Sequence, residues 1–360
     1  MPSSTCPTVH PRLRRLCERL LALAIGGLPA LGHTQDGAAV EPLFAGDTPL
    51  VLTIEAPFRT LSRERRNREE RDGTLRYQDP AGATVTLDVQ IRTRGNSRLD
   101  VCTYPPLRLD FRRGQVRGTM FAGQNQLKLA TLCKDITAYR DYLGLEFEIY
   151  RLFNALTDAS YRVRWTEIEY VDTDGGDAEP ERRPAFLIES DVEVAERNAM
   201  EVWEIERLDP AALEPGAAAL VSVFHFMIGN TDWSGVSGPP GDRCCHNGDV
   251  LRNAQDLAVL IPYDFDQSGL IDADYAAPAE ALPIRSVRQR LYRGYCAHNA
   301  ALDGAIERVR AARSGIEAAI DGASVRNGTR ARARRYIEDF FAIVDDPEER
   351  EDAIASACRG

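Results

Sequence analysis

Alternating apolar and polar positions dominate the first half of the chain. In TVTLDVQIRTRG (84–95), Val85, Leu87, Val89 and Ile91 share one face, which predicts a half-buried strand after the turn QDPAGA (78–83). The segments PLRLDF (106–111), NQLKLAT (125–131), RVRWTEIEYV (162–171) and PAFLIE (184–189) continue that pattern. Between the third and fourth strands the spacing changes, and Tyr139, Leu143, Tyr150 and Phe153 mark a helix over 137–156. The acidic, glycine-bearing stretch 172–184 reads as a long hairpin loop, and the mixed-charge run 60–73 as a solvated face or loop. Beyond about residue 190 the pattern becomes helical, over 210–230, 299–321 and 327–345, with an apolar strand inserted at 257–263. The expectation is an α+β chain with a β-rich region over 45–190 and a helical region over 191–360.

Composition adds a cellular setting. Residues 1–36 combine Arg12, Arg14, Arg15 and Arg19 with the short apolar core LLALAIGGLPALG (20–32), the layout of a cleaved secretory signal. No later apolar run approaches the roughly 18 residues that a membrane span needs, so a secreted or periplasmic protein without a membrane span in the mature chain is expected. The net charge of −11 argues against nonspecific nucleic-acid binding. Cys6 and Cys17 fall in the leader, and the six that remain, Cys102, Cys133, Cys244, Cys245, Cys296 and Cys358, suggest up to three disulfides whose pairing is left open. Metal ligation by CCH (244–246) is the competing reading, but adjacent residues seldom close a tetrahedral shell and there is no CxxC pair.

Of 44 basic residues only Lys128 and Lys134 are lysines. Lysine is a compact point charge where arginine is a planar fork, so a lysine surviving in so arginine-rich a chain has a reason at a site that needs the former. Lys134 is read as chance survival. Lys128 lies on a strand whose neighbours Leu127 and Leu129 face the other way, and Glu146 interrupts the apolar stripe of the next helix. A carboxylate on such a stripe is costly unless paired, or else it lies at the stripe's edge and reaches solvent. Pairing of Lys128 with Glu146 would give an arrangement used to hold nucleotide phosphates. The GxGxxG loop of protein kinases is absent, and the turn RTRGNSR (92–98) is a substitute phosphate cover or simply a hairpin turn.

The second half offers a denser constellation. FHFMIGNTDWS (224–234) closes an apolar helix with Asp232, followed by Asn247 in HN (246–247) and Asp264 in PYDFD (262–266). Phosphoryl transfer requires a carboxylate that positions the attacking hydroxyl and an Asn and an Asp that hold magnesium. Each residue also has a bland reading as a turn or cap residue; their order favours the chemical one.

Taken together, RTRGNSR, YPPLRLDF, NTDW, HN and IPYDFD resemble the motifs of the spore-coat protein H (CotH) kinase-like family over roughly residues 84–290. The family's usual ending is close to IPWDFD, so Tyr263 is a departure, and the insertion GVSGPPGDRCC (235–245) separates NTDW from HN. The resemblance implies an atypical protein-kinase-like two-lobe fold, with a β-rich N-terminal part and a helical C-terminal part. It implies transfer of phosphate from ATP, with Mg, to a hydroxyl of a protein substrate: Asp232 as catalytic base, Asp264 as metal ligand and Asn247 as a second. Asp266 would assist the metal or tie down the turn. Lys128 with Glu146 would hold the nucleotide, with Arg108 in PLRLDF an alternative contact.

Two other readings compete. DFDQSGLIDADY (264–275) places Asp264, Asp266, Ser268 and Asp272 at calcium-loop positions 1, 3, 5 and 9, but Tyr275 stands where a bidentate Glu belongs. A non-catalytic envelope or extracellular binding protein with a weak calcium loop over 264–274 is therefore the alternative. A hydrolase fits less well: GxSxG and HExxH are missing, and only His225, His246 and His298 follow the leader.

Overall fold

A computed structural model describes residues 42–175 and 179–360. The segment read as a secretory leader, 1–36, with Cys6 and Cys17, lies outside the described residues.

Seven strands close into a barrel: β1 (Leu50–Ala56), β2 (Arg71–Gln78), β3 (Thr84–Thr93), β4 (Leu107–Phe111), β5 (Gln126–Thr131), β6 (Val163–Asp172) and β7 (Glu181–Ile188), in the order β1-β2-β3-β4-β5-β7-β6. The two-lobed, kinase-like architecture expected from the sequence is not what the chain adopts. Closure comes from β1, which pairs in parallel with β6 from Leu50 opposite Thr166 to Ala56 opposite Asp172, while every other barrel pair is antiparallel. The inward positions are those marked by alternation: Leu87, Val89 and Ile91 of β3 meet Leu52 and Ile54 of β1 and Leu127 and Leu129 of β5 in one apolar core. The outward positions are free for other work, and on three adjacent strands they are cationic.

Short helices α1 (Phe58–Arg63) and α2 (Ser97–Val101) interrupt the strand sequence, and α3 (Thr137–Asn154) links β5 to β6. Thus part of the run read as a solvated loop, 60–73, forms the end of α1 and the start of β2. After the barrel come α4 (Asp191–Arg197), α5 (Pro215–Ile228), α6 (Leu302–Ala311), α7 (Arg313–Gly322) and α8 (Asn327–Asp345), with a small antiparallel sheet of β8 (Glu201–Val202), β9 (Gly248–Arg252) and β10 (Ala258–Pro262). Helix α5 is almost wholly buried, and α3 joins its core through Leu143, Tyr150 and Phe153. Among the described residues, barrel and helical region pack as one compact unit.

Disulfides join Cys102 to Cys133, Cys244 to Cys245 and Cys296 to Cys358. The first ties the end of α2 to the end of β5, and the third ties the chain's last residues to the segment before α6. Among the described residues no helix is long and apolar enough to cross a membrane.

Candidate functional site

The outer face of the barrel carries a row of like charges. Arg92 of β3 lies directly opposite Arg108 of β4, which lies directly opposite Lys128 of β5. Like charges directly across a sheet repel, so a row of three needs compensation from nearby acids. Part of it comes from Asp110, 3.2 Å from Arg108, and from Asp249 on β9, which receives the Lys128 ammonium at 2.8 Å. Tyr263 and Tyr161 flank that ammonium, their ring centroids 4.1 and 4.6 Å away. Partial burial and the neighbouring Arg108 charge pull the Arg92 guanidinium below its ordinary pKa. Arg68 and Arg94 extend the positive wall around a cleft of about 480 Å³.

The opposite wall is acidic, and its residues come from two chain reversals. Helix α5 ends at Gly229 in the left-handed conformation (φ 64°), where an added Cβ would fall 1.9 Å from the Tyr336 hydroxyl. The Asn230 side chain then accepts the Asp232 backbone N–H at 2.9 Å, a local turn that aims Asp232 into the cleft. The β9–β10 register, Gly248 opposite Pro262, brings Asn247 and Asp264 out at the same end of the hairpin, with the Tyr263 N–H donated to the Asn247 carbonyl at 3.1 Å. Asn247 and Asp264 both hold positive φ, 52° and 60°. Side-chain residues in that region carry strain that surrounding structure must enforce, and such strain gathers at working sites.

Asp232, Asn247 and Asp264, separated by 15 and 17 residues in the chain, thus line one cleft with Lys128 and Arg108. The Asn247 amide nitrogen donates to the Asp232 carbonyl at 2.7 Å and to its carboxylate at 3.0 Å, which leaves the Asn247 carbonyl oxygen as the end able to meet a cation. His246 meets the other Asp232 carboxylate oxygen at 2.8 Å, and that hydrogen bond raises the imidazole pKa above its ordinary value.

Two residues expected in the cleft are placed elsewhere. Glu146 does not pair with Lys128: it is buried beneath the cleft and binds Arg98 of α2 at 2.6 Å. Asp266 is equally buried and also turns to Arg98, at 3.0 Å, so it anchors the turn and does not face the cleft. Asp264 completes the set, 3.0 Å from Arg98 with its carboxylate partly exposed to the cleft, and its backbone N–H is donated to the Tyr150 hydroxyl. One fully buried guanidinium therefore gathers three carboxylates. The attraction of those acids outweighs burial and keeps Arg98 charged, while burial pushes Glu146 up to about 7 and raises Asp266.

The calcium-loop carboxylates are engaged by cations of the protein itself. Asp264 and Asp266 share Arg98, and Asp272 faces Arg288 at 3.6 Å. Among the described residues no three His, Cys, Asp or Glu side chains gather as a metal cluster. Two carboxylates and an amide in a cleft lined with cations suit a magnesium ion that takes most of its shell from phosphate and water.

Arg98 and Asp249 were not singled out from sequence, and His246 was weighed only as a metal ligand in CCH and as a base for a hydrolase. Arg98 is the last residue of RTRGNSR and His246 the first of HN, so the signal lay inside quoted motifs; their partners 48, 168 and 14 residues away did not. No protein-family model matches this chain, and no curated protein matches it.

Proposed function

We propose that the cleft binds ATP with magnesium and transfers the terminal phosphate to a hydroxyl, that of a protein substrate. The observation that carries this reading is the opposition, across one cleft, of the Arg92–Arg108–Lys128 row to Asp232, Asn247 and Asp264. A polyphosphate bridging the two walls relieves the repulsion within the row, and the acids gain a use for which a simple anion site has none.

In this reading Arg92, Arg108 and Lys128 bind and orient the phosphates, Lys128 exchanging or sharing its bond to Asp249. Asp264 and the Asn247 carbonyl oxygen hold magnesium, which when bound neutralises charge on the phosphate oxygens. Asp232, held by Asn247 and His246, accepts the proton of the attacking hydroxyl. The hydroxyl oxygen forms a bond to the terminal phosphorus, and the bond from that phosphorus to the bridging oxygen breaks, leaving ADP. Glu146 and Asp266 act through Arg98, which fixes the Asp264 carboxylate. The motifs shared with the CotH kinase-like family favour the same chemistry, and the three disulfides fit an oxidising compartment, secreted or periplasmic.

The test is thermal unfolding with ATP plus Mg, with Ca alone and with chelator, for the wild-type chain and Asp264→Ala, followed by a labelled-phosphate transfer assay. A ligand that binds only the folded state stabilises it by about 2.7 kcal/mol at a hundredfold excess over Kd, and so raises the midpoint. The reading predicts stabilisation by ATP plus Mg that Asp264→Ala abolishes. Stabilisation by Ca alone with no response to nucleotide would refute it.

A further inference from the structure

A second cavity opens at the other working surface of the barrel, where the ends of β5 and β6 and the starts of β4 and β7 meet α1 and the loop at 103–105. Its volume is about 300 Å³, the lower end of what small-ligand pockets need. Phe58, Tyr104 and Tyr170 wall it, with Phe58 and Tyr170 edge to face at 5.2 Å.

Two polar groups of its lining are buried. The Arg183 guanidinium lies 3.5 Å from the centre of the Tyr104 ring and 5.8 Å from that of Tyr170. Its side chain is 9% exposed, whereas that of its ion-pair partner Glu181 is 62% exposed. The cation is buried and its counter-ion stands mostly in water. The Tyr170 hydroxyl is buried with no hydrogen-bond partner among the described residues, an omission that costs on the order of 1–3 kcal/mol. Burial raises the Tyr170 pKa, so the phenol stays protonated and is a donor. Of the other charges at the rim, Asp172 is taken by Arg59 at 3.1 Å, and Glu179 is exposed. The lining therefore offers two donors, one of them cationic, between aromatic walls, and the carboxylate that meets the cation, Glu181, is mostly exposed.

We propose that this cavity is a binding site for a small planar acid, an aromatic carboxylate whose ring packs among Phe58, Tyr104 and Tyr170 and whose carboxylate takes Arg183 and the Tyr170 hydroxyl. The site is independent of the cleft chemistry. A guanidinium and a carboxylate match in fork geometry, and a flat ring fills the space between aromatic walls without the rotamer cost of a flexible chain.

The experiment is calorimetric titration of the full chain with 2-naphthoate, and with uncharged 2-naphthylmethanol as the shape control, in wild type, Arg183→Met and Tyr170→Phe. The expected result is naphthoate binding at least tenfold tighter than the alcohol, a preference lost in Arg183→Met, and a several-fold weakening in Tyr170→Phe. Should Arg183→Met fail to fold, Tyr170→Phe decides, because it only removes the unpartnered oxygen. Absence of naphthoate binding, equal binding of the alcohol, or naphthoate affinity unchanged in Tyr170→Phe would each overturn the assignment.

Discussion

Inside the barrel, Leu52, Ile54, Ile91 and Leu109 are fully buried against one another; beneath the cleft, Arg98, Glu146 and Asp266 are buried almost as deeply. The barrel gains stability in proportion to the apolar area it removes from water. The region beneath the cleft removes four charged groups, wholly or partly, from water, and recovers that cost only through the geometry of Arg98 with its acids. A buried ion cluster is seldom the most stable filling for such a space. What it supplies here is a carboxylate, Asp264, held in place from behind while its free edge faces the cleft. The contrast separates a scaffold from a support, and substitutions in the two should behave differently.

The largest effect is expected for Arg98→Met. Three carboxylates then share a buried space with no cation, which should destabilise the protein by about 3–5 kcal/mol and abolish the midpoint shift given by ATP plus Mg. In the barrel, Ile54→Ala should cost about 2–5 kcal/mol through its cavity, yet leave the nucleotide-dependent shift intact. Urea denaturation with and without nucleotide measures both. An Arg98→Met protein that responds to nucleotide like the wild type would erase the distinction.

The third prediction concerns pH and belongs to the same cluster. Glu146 has an ordinary value of 4.5 and rises to about 7 in the folded state through burial; Asp266 moves in the same direction, and the two titrate as a pair around Arg98. Because the folded state holds the proton more tightly than the unfolded chain, the stabilisation is present in full below pH 4.5. It declines as pH rises through the interval to about 7, by about 3 kcal/mol. Glu146→Gln should flatten that decline. A wild-type protein whose stability climbs steadily across this interval would contradict the assignment of the burden to Glu146.

The same contrast explains what the sequence disclosed. Within the barrel, alternation located β3 to β7 to within a few residues, since each strand needs one apolar face and period two records it. The helix expected at 137–156 is α3, and that at 327–345 is α8, both set by an apolar stripe. Closure was hidden because alternation says which face is buried and not which strand lies alongside: β1 pairs with a strand more than a hundred residues away. Neither β1 nor β2 was expected from the sequence, and the charge run 60–73 covers the start of β2. Asp232 and Asp264 could be singled out because each follows the end of an apolar element, α5 or β10, whereas Asn247 stands just before β9 and was singled out by the motif HN. The partner of Glu146 was not, because α2 is barely more than one turn, and a single arginine in a glycine-bearing turn gives no sign that it points inward.

The smallest effect is expected on the exposed side of the cleft, at His246. Its bond to Asp232 raises the imidazole pKa, so its contribution to stability is present in full below the ordinary value of 6.5 and is lost as pH rises through the higher folded value. The side chain is one-third exposed, and solvent screening holds that contribution to at most about 1 kcal/mol. His246→Gln should therefore barely change the unfolding midpoint at about pH 8, while removing a small loss of stability on going from about pH 6 to about pH 9. The chemical effect should be larger than the thermal one. With one of its two holders gone, Asp232 turns more freely, and phosphate transfer should fall by roughly ten- to a hundredfold at unchanged nucleotide affinity, a misplacement cost of the kind expected for a positioned base. If nucleotide affinity fell in step with transfer, His246 would belong to the binding wall with Lys128, and the separation of support, binding and base would have to be redrawn at that residue.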